Sequence, residues 1–485
     1  MTEAALVAGV EVSPDHYIGG KRVPGNERFE DRSPIDEELL AEVARGGERE
    51  VRDAVEAAVD AFPAWAGLGV AGRARRLRRL ADLIDANVER IASVECLDMA
   101  MLERSLRARV IPRGARNYRS YAELAEGHEE RVWTSNSTRN RVLRMPAGPA
   151  AVITPWNAPF MLSTWKTAPA LAAGCTVVLK PPEWAPLSCS LLADLTEEAG
   201  FPAGVFNVVQ GIGEEAGAAL VAHPRVRRVS FTGSSDTGRL VGEAAAQNLV
   251  PFTAELGGKG PFVVFADADL DAAAQKAALQ YDDSGQNCMA GTRLLVEETV
   301  SGEFLERFHA AVDAHVLGDP RDESTTISPL IHRDHLARVE GFVGRARTNG
   351  DRIVRGGRPA VIGGLWYEPT LVEPRINQSE IVQREVFGPV LTFQTFSSEE
   401  EAVALANSTE YGLAATAWTS SAERGERVGR ALRAGTVWVN AFLVRDLTAP
   451  FGGVGISGIG REGGDYALDF YSDLKTLQIL EESTR

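Results

Sequence analysis

Residues 150–182 read AAVITPWNAPFMLSTWKTAPALAAGCTVVLKPP, and this stretch decides the fold. It opens on a short apolar run, Ala150 to Thr154, stopped at Pro155, and closes on a second, Thr176 to Leu179, stopped at Lys180-Pro181-Pro182. The segment between them is rich in alanine and leucine and has helical period. Apolar runs too short for a helix and bounded by prolines read as buried strands, and strands alternating with helices make a parallel sheet. The pattern continues downstream, where Val205 to Val209 ends at Gly211 and Arg228 to Phe231 ends at Gly233. Sheets of this kind bind ligands at the carboxyl ends of their strands, so the residues just after each run are the ones to question.

Upstream, Glu48 to Val94 is helical, with Val51, Val55, Val59 and Phe62 on one stripe and Leu77, Leu80, Ile84, Val88 and Ile91 on another, both read as core-facing. After Glu255 a second α/β pattern begins. Its strands are Phe262 to Phe265, Leu294 to Val296, Val390 to Phe393, Ala414 to Trp418 and Thr436 to Asn440, and Leu270 to Leu279 is helical. His128 to Arg144 is polar and β-prone, and Phe470 to Leu480 alternates like a strand. Two strand-like segments outside both sheets suggest an arm that pairs with a neighbouring subunit. The expected division is residues 1–127 and 147–254 for one α/β domain, 255–445 for the other, and 128–146 with 463–485 for the arm.

The 485 residues carry a formal charge of −16, which argues against general binding to nucleic acid or to anionic membranes. Cys96, Cys175, Cys189 and Cys288 are too few for a disulfide framework and lack metal-ligand spacing, so no metal is expected and a cytoplasmic, reducing setting fits. Met1 to Val12 lacks the features of a signal peptide, and no apolar run approaches the roughly 18 residues of a membrane span.

Two glycine-rich turns invite a nucleotide reading. Gly211-Ile212-Gly213 does not complete G-x-G-x-x-G, because Ala216 holds the last position. Gly233 to Gly238 has P-loop spacing, but Arg239 stands where the lysine belongs. The second turn opens a helix whose free N–H groups suit a phosphate, although it also reads as a plain tight turn. Cys288, in Gly285-Gln286-Asn287-Cys288, sits in a turn whose backbone N–H groups could stabilise a thiolate and an oxyanion; the other cysteines read as small buried hydrophobes. Glu255, in an apolar strand followed by paired glycines, is either a shifted general base or the start of a surface loop. Asn157, between Pro155 and Pro159, either donates to an oxyanion or forms the turn.

Taken together, Thr154-Pro155-Trp156-Asn157, Lys180-Pro181, Phe231-Thr232-Gly233-Ser234, Glu255-Leu256-Gly257-Gly258-Lys259, Gly285-Gln286-Asn287-Cys288, Glu385-Val386-Phe387-Gly388-Pro389 and Pro450-Phe451-Gly452-Gly453 resemble the aldehyde dehydrogenase superfamily, in its motif order and over nearly the whole chain. The resemblance implies a Rossmann-like cofactor domain, an α/β catalytic domain and a small β oligomerisation arm, assembled as a homodimer or homotetramer. It implies Cys288 as nucleophile, Asn157 as oxyanion donor, Glu255 as the base for thioester hydrolysis and Lys166 in a supporting role. It implies NAD as cofactor, with Lys180 and Glu183 at the adenosine ribose, Ser234 at the pyrophosphate, Glu385 and Phe387 at the nicotinamide end, and Thr154, Pro155, Trp156, Gly213, Phe231, Gly233 and Gly257 around them. A carboxylate at Glu183 accepts from a free 2′-hydroxyl and repels a 2′-phosphate.

Arg113, in Val110-Ile111-Pro112-Arg113-Gly114, and Arg445, in Val444-Arg445-Asp446-Leu447, are similar to the branch that oxidises hydroxymuconic and aminomuconic semialdehydes. In that branch the matching arginines hold a substrate carboxylate, a bidentate pairing that a guanidinium fork suits. The expected substrate site is therefore Arg113, Arg445 and Trp165, and the expected substrate a carboxylate-bearing semialdehyde; the alternatives are two surface arginines and an uncharged aliphatic or aromatic aldehyde. Gly260, Gly455, Thr448 and Leu97-Asp98-Met99-Ala100 depart from the family pattern. Coenzyme A-acylating relatives lack the use for a water-activating base that Glu255 provides. A non-catalytic protein keeping the fold would be expected to have lost Cys288 or Glu255.

Overall fold

The structure, a computed structural model, describes residues 4–481, so residues 1–3 of the first domain and 482–485 of the arm lie outside it. Two large sheets organise the chain. In the first, the order is Gly458–Ile459, Phe252–Glu255, Arg228–Thr232, Pro149–Ile153, Thr176–Lys180, Phe206–Val208, His16–Ile18 and Lys21–Val23. Its five central strands are parallel. Pro149–Ile153 and Thr176–Lys180 are buried along their whole length, as continuous apolar runs require. Alternate residues serve opposite faces: Ala150, Val152, Val177 and Leu179 join one core, and Ala151, Ile153 and Val178 the other.

From Pro149–Ile153 the chain steps first to Thr176–Lys180 on one side and later to Arg228–Thr232 on the other. The strand order thus reverses at Pro149–Ile153, which opens a crevice between the loops leaving its end and the end of Arg228–Thr232. The first of these loops carries Thr154 to Asn157 and the second Gly233 and Ser234.

The second sheet runs Arg352–Arg355, Thr370–Glu373, Val390–Phe396, Arg293–Glu297, Pro261–Val264, Ala414–Trp418 and Thr436–Val439. The expected strands are present. Arg352–Arg355 and Thr370–Glu373 are additional, and Arg352–Arg355 is an antiparallel edge strand with a register shift. The chain leaves the first sheet at Glu255 and enters the second at Pro261, so Gly257 and Gly258 lie at the junction. It returns once, when Gly458–Ile459 pairs antiparallel with Ala254 and Glu255. The segments Arg131–Ser135, Thr138–Pro146 and Ser472–Leu480 form a separate three-stranded sheet; Phe470, expected to begin its last strand, instead ends the helix Gly464–Phe470.

Candidate active site

Cys288 lies in the loop between the 3₁₀ turn Leu279–Gly285 and the strand Arg293–Glu297. That loop is held from several sides. Asp283 and Ser284 adopt left-handed backbone angles, with φ of 50° and 54°, and the Ser284 hydroxyl donates to the carbonyl of Ser328. Gln286 accepts from the Ile331 N–H at 3.0 Å and donates to the Asp283 carbonyl at 3.2 Å. At Gly285, with φ of 66°, a Cβ would stand 2.3 Å from the Gly388 carbonyl oxygen, so a side chain there would displace the loop.

Asn157 reaches this loop from the first sheet. Its Nδ2 donates to the Gln286 carbonyl at 3.0 Å, so one amide proton anchors the loop and the second is left for another acceptor. The turn-forming and donor readings of Asn157 are therefore compatible. Gly258 makes a close approach: a Cβ on it would sit 2.2 Å from the Cys288 carbonyl oxygen.

The thiol differs from expectation. Burial pushes the Cys288 pKa up to about 12, reinforced by Glu385 and Glu255 and opposed by Arg445 and a backbone N–H. The local turn does supply an N–H group, but desolvation and two approaching carboxyls outweigh it, so the resting group is a thiol rather than a thiolate.

Glu255 is buried and neither carboxyl oxygen has a hydrogen-bond partner among the described residues, which excludes the surface-loop reading. Burial raises its pKa well above the carboxylate range, and the neighbouring Glu462 raises it further against Lys166, Arg445 and Arg461. Gly452 allows this: a Cβ there would stand 2.9 Å from Glu255 Oε1.

Beside it lies Glu462, which sequence reading missed. Lys166, on the helix Pro159–Ala173, donates to Glu462 Oε1 at 2.6 Å, to Ser230 Oγ at 3.0 Å and to the Phe231 carbonyl at 3.3 Å. Ser230 also donates to Glu462, at 3.1 Å. Glu462 is flanked by Arg461 and Gly463 in a glycine-rich stretch that reads as loop, and nothing local marks it as buried.

The expected cofactor residues line the crevice. Lys180 pairs with Glu183 at 2.6 Å, and Gly213 lies against Glu183, where a Cβ would be 3.9 Å from Oε1. Ser234 caps the helix Ser235–Gln247 by accepting from the Thr237 N–H at 3.1 Å. Gly233 packs on the Phe231 ring, and the Thr232 hydroxyl is buried without a partner. Glu385 accepts from the Gly258 N–H at 2.7 Å, and at Gly257 a Cβ would collide with it at 2.2 Å. Burial raises the Glu385 pKa to about 7. Phe387, with φ of 62°, stands edge-on to Trp156 with ring centres 5.2 Å apart. His335, also unremarked in the sequence, accompanies both: it contacts the Trp156 ring at 5.1 Å and its Nε2 bonds the Phe387 carbonyl at 2.7 Å.

Arg113 and Arg445, far apart in sequence, converge on Trp165. Their guanidinium carbons lie 5.8 and 5.3 Å from the centre of its ring, and Arg445 also covers Phe451 at 3.6 Å. Trp165 is buried and both arginines are half-buried. Neither makes an ion pair among the described residues. Burial, with Arg445 as the next cause, lowers the Arg113 pKa to about 10; burial also lowers that of Arg445, against Glu255 and Cys288, which places Arg445 near both.

Motif order, sheet topology and this geometry agree with comparison to known proteins. A profile described as the aldehyde dehydrogenase family matches residues 22–477. The chain belongs to the aldehyde dehydrogenase family. This member is 41% identical to the 2-hydroxymuconic semialdehyde dehydrogenase of Pseudomonas sp. (strain CF600), over 95% of this chain and 98% of that one. It is 40% identical to the 2-aminomuconic semialdehyde dehydrogenase of Danio rerio, over 96% and 98%. A solved structure of an indole-3-acetaldehyde dehydrogenase in complex with NAD+ superposes with a TM-score of 0.95 at 39% identity, covering 97% of each chain.

Proposed function

We propose that this family member oxidises a carboxylate-bearing semialdehyde to the acid, with NAD+ as cofactor and Cys288 as nucleophile. The observation that carries the substrate class is the pair of arginines on Trp165 that make no ion pair among the described residues, with Arg445 near the thiol. Two like charges in one half-buried place cost stability unless an anion joins them, and a carboxylate matches the fork of each. The named semialdehyde dehydrogenases among its relatives support the same class.

The residues fit NAD+. The capped helix at Ser234 faces the crevice with free N–H groups, Glu183 holds one carboxylate oxygen outside the Lys180 pair, and the glycines at 213 and 257 leave room against Glu183 and Glu385. Bound NAD+ supplies a hydride acceptor, so the carbon on Cys288 passes from thiohemiacetal to thioester.

The protein's own groups do the rest. The Cys288 sulfur bonds the aldehyde carbon as the carbonyl π pair moves to oxygen, and the free Asn157 N–H with the Cys288 backbone N–H receives that oxyanion. Because burial holds the thiol protonated, its proton must leave to a base; Glu255, raised in pKa, is a strong base once ionised. Once it has passed that proton to solvent, Glu255 takes a proton from water, the hydroxide oxygen bonds the thioester carbon, and the C–S bond breaks to release the acid and return the Cys288 sulfur, which recovers a proton from Glu255. Lys166 and Glu462 hold the floor beneath Glu255.

We assign residues 1–127 and 147–254 to cofactor binding, 255–445 to catalysis, and 128–146 with 463–485 to an arm that builds a homodimer or homotetramer. Exposed Leu474, Ile479 and Leu480 on the arm and the open edge at Thr436–Val439 support the assembly. The four free cysteines suit a cytoplasmic location. Among the described residues no helix is long and apolar enough to cross a membrane.

The test is NADH formation on carboxylated aldehydes paired with uncharged aldehydes of equal length. Wild type should prefer the acids, Arg445→Ala should lose about 100-fold in kcat/KM on them, and Cys288→Ala should be inactive. An uncharged aromatic aldehyde is the second reading, favoured by the likeness to the indole-3-acetaldehyde enzyme. Equal or faster turnover of the neutral partners would select it.

A further inference from the structure

Arg113 has one hydrogen-bonded partner, and that partner is unusual for an arginine. Its Nε donates to Oδ1 of Asn117, at 3.1 Å, one helical turn along Ile111–Glu126. Asn117 is fully buried, and the direction of its amide is settled by the neighbouring helix. Thr164 gives its hydroxyl proton to the Met161 carbonyl at 2.7 Å, so its oxygen is free to accept from Asn117 Nδ2 at 3.0 Å. The same Nδ2 reaches the Met161 carbonyl at 3.5 Å. With Nδ2 turned to two acceptors, Oδ1 must face Arg113.

An aspartate of the same shape would also accept from Nε, and more strongly. It would place a negative charge on Arg113 and cancel half of the positive pair on Trp165. An amide holds the guanidinium in place and leaves its charge intact. It also occupies the Nε edge, which turns the two terminal nitrogens away from Asn117 and leaves them for another acceptor.

We propose that Asn117 is a positioning residue that sets the enzyme's preference for acidic aldehydes, by orienting Arg113 without neutralising it. This rests on the carboxylate-site reading of Arg113 and Arg445. Helix Pro159–Ala173 is the other half of the device, since Thr164 fixes the amide while its neighbour Trp165 carries both guanidinium groups.

The experiment compares wild type, Arg113→Ala, Asn117→Asp and Asn117→Ser on the matched acid and neutral aldehydes, with melting curves. In Asn117→Asp the ratio of kcat/KM for acid over neutral aldehyde should fall about tenfold, through KM for the acid rather than through kcat, whatever the lost amide donor costs in melting temperature. A merely structural role would move the melting temperature and leave that ratio alone. Asn117→Ser, too short to reach Arg113, should lower the ratio in the same direction, and it decides the matter if the aspartate variant does not fold. An unchanged ratio in the folded variants overturns the role of Asn117, provided that wild type prefers acids and Arg113→Ala abolishes the preference. A wild type without that preference overturns the carboxylate site itself.

Discussion

Among the places where this molecule draws cations out of water, two treat them oppositely. Lys166, wholly buried, has Glu462 at 2.6 Å and two further oxygens, so its charge is answered within the chain. Arg113 and Arg445 share one indole and make no ion pair among the described residues. The first arrangement is complete within the chain; the second, on the proposed reading, is completed by a substrate carboxylate. A third cluster disposes of charge in another way. Asp31, Glu95 and Asp98 are buried together, and burial raises the pKa of Asp31 to about 7, that of Glu95 to about 8 and that of Asp98 well above its usual range, so they are held as neutral acids.

The contrast can be broken most forcefully at Glu462. Glu462→Ala leaves a buried ammonium without its counter-charge and should cost about 3–5 kcal/mol of stability, seen as a large fall in melting temperature. A fall no greater than that of a surface substitution would mean that Lys166 finds another partner. Arg445→Ala should behave oppositely. Removing one of two repelling cations should leave the melting temperature unchanged or raised by the equivalent of up to about 1 kcal/mol, even as oxidation of acids collapses. If it destabilises as Glu462→Ala does, Arg445 is structural and the comparison fails.

The carboxyl cluster gives the smallest and most graded effect. A raised pKa in the folded state means that folding holds protons which the unfolded chain releases above about pH 4. The stability contributed by those neutral acids is present below that pH and is lost as pH climbs through about 7 and about 8, the folded values of Asp31 and Glu95. Asp98→Asn, which keeps the acceptor facing the Leu187 N–H at 2.8 Å, should flatten the fall in melting temperature across that window; an unchanged slope would place the titration elsewhere.

The sequence foretold the parts of this molecule that are locally determined. Runs such as Ala150 to Thr154 are apolar on both faces and stopped by proline, so strand, sheet type and the ligand-facing end follow from a few neighbours. Arg352–Arg355 escaped because an edge strand with arginine at both ends has no such signature. At the site, residue types and motifs pointed to Cys288, Glu255 and Asn157, and the structure brings them together through the Gln286 carbonyl and the glycines at 258 and 452. The raised pKa of Cys288 has no local signature, because burial, its main cause, and the carboxyls of Glu385 and Glu255 come from distant segments. Glu462 was invisible for the same reason: its partner Lys166 lies in another motif altogether.

Thr164, Trp165 and Lys166 are consecutive residues on one helix, and each looks a different way: to Asn117, to the two arginines, and to Glu462. On the proposed reading, recognition and proton chemistry are thereby soldered to a single turn. A lineage drifting toward new aldehydes has little freedom on that turn, since a change that suits one function disturbs the next residue's. Divergence in substrate should instead accumulate on the facing surfaces, the helix that bears Arg113 and Asn117 and the loop that bears Arg445, where a residue can be exchanged without disturbing the machinery behind it.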